Sequence, residues 1–270
     1  MKLKRFFFIG ILFVVTMGCK ADIKKDDKEI FSDSLFLNWV SSQYGELWTF
    51  ADKSDAVKYG LYGTYCIDRG DYDKAIKYCN KAWKLDQDFP NRQLYAMIYS
   101  SLSVAYMQKQ DYDNAIENCY RALDFCQDDK ARANIFMNLA MMYIRIQNYD
   151  LAVESTQESI KLNENDAMAY GSLSFYLMFK KQFTEAEAAA RKGLLLDESQ
   201  TWIRLNLTSA LLLQGRYDEA VKNLGESTNI EKEMLLDDFE KYEKAGIIPE
   251  DRKADAEKFK ELLKLRILKK

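Results

Sequence analysis

Hydrophobic and polar positions along the chain repeat with a long period, marked by an aromatic residue followed three positions later by alanine. Five such pairs recur between residues 72 and 220, and their alanines are 40, 37, 34 and 34 residues apart. A period of about 34 residues is typical of a helix–turn–helix unit stacked on copies of itself. Because one unit cannot bury its apolar face alone, such units share a core, and the pattern favours a binding surface over a catalytic centre. The pairs are Tyr72/Ala75, Tyr112/Ala115, Tyr149/Ala152, Phe183/Ala186 and Tyr217/Ala220.

Residues that break helices are rare, and the segments flanking the repeats are themselves amphipathic. The chain has two prolines, Pro90 and Pro249, so long helices can run uninterrupted. Beyond the first twenty positions no run of β-branched residues alternates with polar ones, which predicts an all-α chain. Further helices are predicted at 34–50, 237–245 and 249–268, where they would cap the apolar ends of the array.

The repeating units resemble the tetratricopeptide repeat. In this family each unit consists of a helix A, a tight turn and a helix B. In the first unit Gly63 lies on helix A where it crosses helix B, and it faces Ala75. The other units have small residues at the same positions. The resemblance implies an all-α fold, a right-handed superhelical solenoid of about five repeats with N- and C-terminal capping helices. The repeats are predicted at 56–89, 96–129, 133–166, 167–200 and 201–234, between an N-terminal helix in 31–55 and capping helices in 235–270.

Helix B of each unit is predicted to begin with a side chain that accepts a hydrogen bond from a free backbone N–H. Thr184 and Glu187 also have the spacing of a capping box. The predicted caps are Asp73, Asp113, Asp150, Thr184 and Asp218.

The resemblance also implies a ligand-binding groove lined by the second, fifth, sixth, ninth, twelfth and thirteenth positions of helix A. Methionines are frequent there, and their flexible, polarizable side chains suit a surface that adapts to an apolar helix or peptide. The alternative is that many of these residues belong to a core covered by the terminal helices or by dimerisation. We name the predicted residues the groove face: Met97, Val104, Met107, Asn134, Met137, Asn138, Met141, Ile144, Arg145, Met168, Phe175, Met178, Phe179, Trp202, Leu205 and Asn206.

The first nineteen residues have the pattern of an export signal. A basic start is followed by the apolar run 6–15, which is short for a membrane span, and then by Gly18-Cys19. This end resembles the lipobox of bacterial lipoproteins, although the family usually has leucine where Thr16 stands and a smaller residue than Met17. The resemblance implies a signal peptide at 1–18, acylation of Cys19 and a charged tether at 19–30. A plain cleaved signal and an uncleaved anchor are the alternatives.

Composition excludes several kinds of chemistry. The formal net charge is −3 without a basic stripe, which argues against nucleic acid as a partner. Histidine is absent, and no CxxC pair, glycine-rich phosphate loop or nucleophile motif occurs, so we expect no cofactor, no metal and no catalytic residues. Cys66 and Cys79 could approach within one hairpin, either as a bridge or, more often in such positions, as buried free thiols.

Taken together, the sequence predicts a non-enzymatic adaptor of the cell envelope, anchored through the N-terminal lipid and binding another envelope protein through the groove face. Lys20 after the acylated cysteine favours an outer-membrane location facing the periplasm, with surface exposure as the alternative. Lipoproteins of similar size and repeat number serve β-barrel assembly, secretin piloting or docking of cell-wall hydrolases. The other function classes left open are a glycan- or solute-binding component of an uptake system and a surface adhesin, and homodimerisation is also left open.

Overall fold

The computed structural model describes residues 30–44, 54–85, 92–225 and 227–268. Within these ranges every regular element is helical and no strand occurs, as the sequence predicts. The predicted signal peptide, Cys19 and all of the charged tether except Ile30 lie outside the described residues. The chain divides into two compact units, Met1–Met142 and Tyr143–Lys270.

The first unit consists of consecutive helical hairpins. Helix α2 pairs with α3, α4 pairs with α5, and α4 also packs on both α2 and α3, whereas α1 packs on α2. Helix α6 passes from the first unit into the second. The helices are α1 (Ser34–Tyr44), α2 (Asp55–Arg69), α3 (Tyr72–Leu85), α4 (Arg92–Gln108), α5 (Tyr112–Phe125) and α6 (Asp129–Arg145).

The second unit continues the same arrangement. Helix α8 pairs with α9 and α10 with α11, and α9 packs on α10, so consecutive hairpins stack. The helices are α7 (Tyr149–Leu162), α8 (Ala167–Phe179), α9 (Phe183–Leu196), α10 (Thr201–Leu213), α11 (Tyr217–Leu224), α12 (Asn229–Lys244) and α13 (Lys253–Leu268), with a 3₁₀ turn at Glu250–Arg252.

Small residues allow the helices of each hairpin to approach closely, as the sequence predicts. A Cβ atom added to Gly63 would lie 2.5 Å from Cys79 Sγ and 3.3 Å from the Ala75 carbonyl oxygen, so no larger residue fits without movement. The corresponding residues of the other repeats are also buried. Close contact of this kind is what locks helix A against helix B. These residues are Ser103, Ala140, Ser174 and Thr208 on helix A, and Ala75, Ala115, Ala152, Ala186 and Ala220 on helix B.

The N-terminal helix α1 covers the first hairpin with aromatic side chains. The Phe36 ring meets that of Tyr62 edge-on at 5.1 Å between centroids, and Trp39 meets Tyr65 at 5.8 Å. Trp39 Nε1 donates a hydrogen bond of 2.7 Å to Asp68 Oδ2. Aromatic pairs of this geometry add to the free energy of area burial, and α1 therefore caps the apolar end of the first hairpin, as expected.

The start of helix B differs from the prediction. Helices α3, α5 and α7 begin at the aromatic residue itself, and their first backbone N–H groups are capped by the residue before it. Asp111 accepts from Asn114 N–H and Asn148 accepts from Leu151 N–H. The predicted caps Asp73, Asp113, Asp150, Thr184 and Asp218 are therefore wrong by two positions in the chain and lie inside the first turn. There, carboxylates still interact favourably with the helix dipole.

The capping box is found at another helix than the one predicted. Thr228 and Glu231 form it at the start of α12, whereas Gln182 precedes α9 without a side-chain cap. Helix α11 ends at Leu224, so the last ten residues predicted for repeat five contain the start of α12. Thr228 thus ends the repeat array earlier than its 34-residue period suggests.

One residue of each tight turn between helices A and B has a left-handed backbone conformation. It occupies the fifteenth position of every predicted repeat, with φ between 58° and 82°. Two of these residues are glycine, for which this conformation costs little, and three are not. They are Gly70, Gln110, Gln147, Lys181 and Gly215.

This turn conformation makes Gly70 and Gln147 a matched pair for measurement. We expect Gly70→Ala to lower the free energy of unfolding by about 1–2 kcal/mol. The added Cβ would meet only Tyr72 Oη, at 3.9 Å, so the cost is conformational. Gln147→Gly relieves the same strain but raises the entropy of the unfolded chain, and should change stability by less than about 1 kcal/mol. Urea denaturation followed by circular dichroism measures both, and equal losses in the two variants would contradict the account.

Candidate partner-binding face

In the first unit the groove face is partly exposed. Met97, Met107, Asn134 and Met137 are half-buried, and Met141 is 40% exposed. Val104 and Asn138 are buried, so they form the floor beneath these side chains. Met137 and Met141 are four residues apart on α6 and therefore lie on one side of that helix. They give the first unit an apolar surface that another molecule can reach.

Two residues of the groove face hold neighbouring A helices together. Met97 packs onto Gly60, where an added Cβ would lie 2.9 Å from Met97 Cε. In the second unit Trp202 packs onto Gly171 in the same way, at 2.3 Å from the hypothetical Cβ. Each pair joins the fifth position of one helix A to the second position of the next. The glycines therefore make room for large side chains, which are only partly available to a ligand.

Two of the three asparagines of the groove face, Asn138 and Asn206, differ in their hydrogen bonds. Asn206 Nδ2 donates to the Gly171 carbonyl oxygen at 3.0 Å. Asn138 occupies the same position two repeats earlier, but its Nδ2 is buried with no acceptor among the described residues. A buried donor without an acceptor costs about 1–3 kcal/mol. Asn138 is therefore a donor that a bound water or peptide carbonyl could satisfy.

In the second unit the groove face is covered by the protein's own helix α12. The Tyr242 ring lies 5.7 Å from that of Phe179 and 6.5 Å from that of Phe175, between ring centroids. Helix α12 packs on α10 as well. It therefore crosses α8 and α10, which are the A helices of repeats four and five. Met178, Leu205 and Asn206 are fully buried. For these three residues the expectation of an open groove is corrected by their burial, whereas Phe175 and Phe179 are covered by a terminal helix, as in the alternative.

Helix α12 is held in this position by apolar contacts and by its capped N-terminus. Leu235, Phe239 and Tyr242 are completely buried. At the N-terminus the Glu231 carboxylate accepts from Thr228 N–H at 2.7 Å and lies 3.4 Å from Arg204 on α10. The hydrogen bond from the Thr228 backbone, together with the Arg204 charge, lowers the pKa of Glu231. The carboxylate therefore stays ionised and fixes the start of the helix.

Sequence reasoning missed the apolar stripe of α12, whose Tyr242 contacts the groove face. Leu235, Phe239 and Tyr242 are spaced four and three residues apart, which is the apolar stripe of an amphipathic helix. Thr228-x-x-Glu231 is the sequence signature of a capping box. Both signals were available, but neither indicates which surface the stripe covers.

The remaining members of the groove face lie at the edges of the second unit. Ile144 is half-buried, whereas Arg145 and Met168 are exposed. An open cleft of about 560 Å³ lies nearby, lined by 146–150, Phe179 and Lys180. Its charged groups form an ion pair, Lys180 Nζ to Asp150 Oδ1 at 2.7 Å, on the surface. Such a pair is satisfied within the protein and does not suggest a catalytic centre.

The cysteines among the described residues are free, buried thiols, which settles the alternatives for Cys66 and Cys79. Burial raises the pKa of Cys66 to about 12, and it raises that of Cys119 to about 12. Burial raises the pKa of Cys79 and Cys126 as well. Because the thiolate is the reactive form, burial of these thiols disfavours nucleophilic chemistry near neutral pH. No cluster of potential metal ligands occurs within the described ranges.

The thiols should therefore react only when the protein unfolds. In a Cys19→Ser variant, we expect a disulfide reagent at pH 8 to modify Cys66, Cys79, Cys119 and Cys126 at least about a hundredfold more slowly than free cysteine. Denaturant should make all of them react within seconds to minutes. Absorbance of the released thiolate measures both rates. Rapid modification of the folded chain would contradict the burial described here.

No helix among the described residues combines the length and apolarity that crossing a membrane requires. The groove face of the first unit presents accessible apolar side chains, among which Met141 is the most exposed. This arrangement is suited to holding a segment of another molecule.

Comparison with known proteins agrees with this architecture. The family model of the tetratricopeptide repeat matches residues 54–128 and 94–165. A crystal structure of MamA superposes with a TM-score of 0.54 at 23% identity, covering 70% of this chain and 94% of that one. YrrB, described as a TPR protein with an unusual peptide-binding site, superposes with a TM-score of 0.54 at 18% identity, covering 84% and 97%. No curated protein matches the sequence. The family model thus identifies tetratricopeptide repeats within residues 54–165, and the stacked hairpins and these likenesses show that the chain has the fold of a tetratricopeptide repeat protein.

Proposed function

We propose that this protein is a lipid-anchored adaptor that holds an apolar helical segment of another cell-envelope protein on the groove face of its first unit. The observation that carries the proposal is helix α12 itself. This amphipathic helix packs on α10 and inserts Tyr242 beside Phe179, so the groove face of this chain accommodates a helix bearing aromatic side chains. A partner helix of the same kind is the ligand that the corresponding face of α4 and α6 suits best.

The exposed methionines supply the affinity in this proposal. Burying a methionine side chain contributes about 1.5–3 kcal/mol. Met107, Met137 and Met141 are each at least partly accessible, and their unbranched side chains adapt to different apolar partners. The Asn138 amide, which lacks an acceptor within the described ranges, would gain one from a partner backbone. The peptide-binding site named in the description of YrrB is consistent with a peptide or helix as ligand.

The anchor in this proposal is an acylated Cys19. The charged tether at 19–30 would separate lipid from folded body by at most about 35–40 Å when extended. It places the adaptor at a bilayer surface, with the outer membrane facing the periplasm favoured by Lys20. There it would recruit or position a partner during envelope assembly, without transforming a substrate.

A glycan-binding function is less well supported. Its aromatic candidates were Phe175, Phe179 and Trp202, and the first two lie against Tyr242 of α12. Trp202 packs onto Gly171 and its Nε1 donates to Gln200 Oε1 at 3.1 Å. Sugar stacking needs an open aromatic face, whereas these rings are engaged within the protein.

The partner can be identified by photocrosslinking in intact cells. A photoreactive amino acid at Met141 should crosslink to one dominant envelope protein, whereas the same amino acid at Leu195, an exposed leucine of α9, should not. Mass spectrometry of the product gives the identity and the segment bound. A dominant product with a second copy of this chain would show that the groove face forms a homodimer and does not bind an envelope partner. The absence of any product specific to position 141 would refute the proposed face.

The anchor is tested separately. Cys19→Ser should leave an unprocessed chain that carries no acyl group, detected as loss of label from a clickable palmitate. Labelling that persists in the variant would refute acylation at this cysteine while leaving the partner-binding face untouched.

A further inference from the structure

The two C-terminal helices expose apolar side chains at one end of their hairpin. Leu265 and Leu268 of α13 are 57% and 78% exposed, and Ile230 and Met234 of α12 are 59% and 45% exposed. Leu265 and Leu268 are three residues apart and lie on one side of α13, and Ile230 and Met234 are four apart and lie on one side of α12. We name these four residues the terminal patch.

Contacts between the helices place both halves of the terminal patch at the same end. Asn229 Nδ2, next to Ile230, donates to the Ile267 carbonyl oxygen at 3.4 Å. At the other end Lys260 Nζ is 2.5 Å from Glu243 Oε1. The helices therefore run antiparallel, with the start of α12 beside the end of α13. Arg266 Nη1 also donates to the Gly225 carbonyl oxygen, at 3.3 Å.

Positive charge accompanies the α13 part of the terminal patch, whereas the exposed Glu233 is next to Met234 on α12. After Glu261 the sequence contains Lys264, Arg266, Lys269 and Lys270 and no acidic residue, although the whole chain has a formal net charge of −3. Lys264 is exposed, and in the sequence it lies between Leu262 and the patch residues Leu265 and Leu268. Exposed leucines bordered by cations are the combination that binds the interface of an anionic bilayer, with leucine in the acyl region and cations at the phosphates.

We propose that the terminal patch docks on an anionic membrane surface, inserting Leu265 and Leu268 among the lipids while Lys264 and Arg266 contact headgroup phosphates. A second copy of this chain fits less well, because two such patches would bring like charges together. The preference for a membrane over an acidic protein rests on the proposed lipid anchor, which keeps the chain beside a bilayer at high effective concentration.

An environment-sensitive fluorophore at position 268 tests this proposal. The full-length Cys19→Ser, Leu268→Cys variant carries one accessible thiol, because the other cysteines are buried. Vesicles of equal parts phosphatidylglycerol and phosphatidylcholine should shift the emission to the blue, and pure phosphatidylcholine vesicles should not. The leader is present in every variant and its basic residues can also bind anionic vesicles, so only a shift specific to position 268 reports the terminal patch. The control places the same fluorophore at Leu195→Cys, which is 80% exposed on α9, and its emission should not change.

Two further variants separate the apolar and the charged contributions. Leu265→Ser should raise the lipid concentration needed for the emission shift at position 268 by about tenfold or more, because one inserted leucine is lost. Lys264→Glu should abolish it near physiological salt. The proposal fails if neither vesicle changes the emission at 268, or if position 195 responds equally. It also fails if the shift needs no vesicles and grows with protein concentration, which would assign the terminal patch to self-association. Because these chains lack the acylated cysteine, their result does not depend on whether the lipid anchor exists.

Discussion

Replacing Tyr242 with alanine is expected to lower the free energy of unfolding by about 3–5 kcal/mol, as for large aromatic side chains in other cores. The ring is completely buried and contacts Phe175, Phe179 and Phe239. Removing it would leave a cavity between α12 and the A helices of repeats four and five. Urea denaturation followed by circular dichroism measures the loss.

Tyr242→Phe is the matched control for this substitution. The Tyr242 hydroxyl is a buried group beside Ser209, and neither hydroxyl has a hydrogen-bond partner of normal geometry among the described residues. Removing a buried hydroxyl without a partner should leave stability unchanged or raise it by about 1 kcal/mol. A loss in the phenylalanine variant as large as in the alanine variant would show that the hydroxyl, and not ring packing, holds α12 in place.

The second large effect concerns partner capture. The double variant Met137→Glu, Met141→Glu is expected to weaken binding of the crosslinked partner segment by about a hundredfold or more, because two carboxylates would have to leave water in an apolar contact. Both side chains are accessible in the free protein, so the fold should tolerate the change. Titration of a labelled partner peptide by fluorescence anisotropy measures the affinity, and circular dichroism checks that the helices remain.

Two controls distinguish the apolar face from a general charge effect. Met137→Leu with Met141→Leu keeps the apolar volume and should change affinity by less than about tenfold. Leu195→Glu introduces a carboxylate on an exposed position of α9 and should leave affinity unchanged. Undiminished binding by the double glutamate variant would exclude the groove face of α6 as the binding surface. Phe175 is unsuitable for such a test, because its contact with Tyr242 would mix stability with binding.

Much of the fold was predictable because the repeat is a local pattern. Tight packing at Gly63 and Ala75 requires small side chains at a constant spacing, and this spacing is visible without any structure. The helix starts were less accurately predicted, because Asp73 and Asp71 are equally good caps by type. Only the backbone shows that Tyr72 is already helical and that Asp71 precedes it.

The candidate site was predictable only in part. Family positions on helix A identified surface that is accessible in the first unit, including Met137 and Met141. The same positions in the second unit include Met178 and Leu205, which are buried. Nothing in the residue types separates the two groups, since both are apolar and both lie at groove positions of helix A. The difference lies in how the rest of the chain packs around them.

By itself the sequence determined the helical hairpins and the small residues at their crossings, because these depend on neighbours within one or two turns or within one repeat. Tertiary structure alone decided that α12 covers the groove face of repeats four and five. The contact of Tyr242 with Phe175 joins residues more than sixty positions apart. An apolar stripe shows that a helix must be buried against something, but the choice of surface depends on the competing shapes that the whole chain offers.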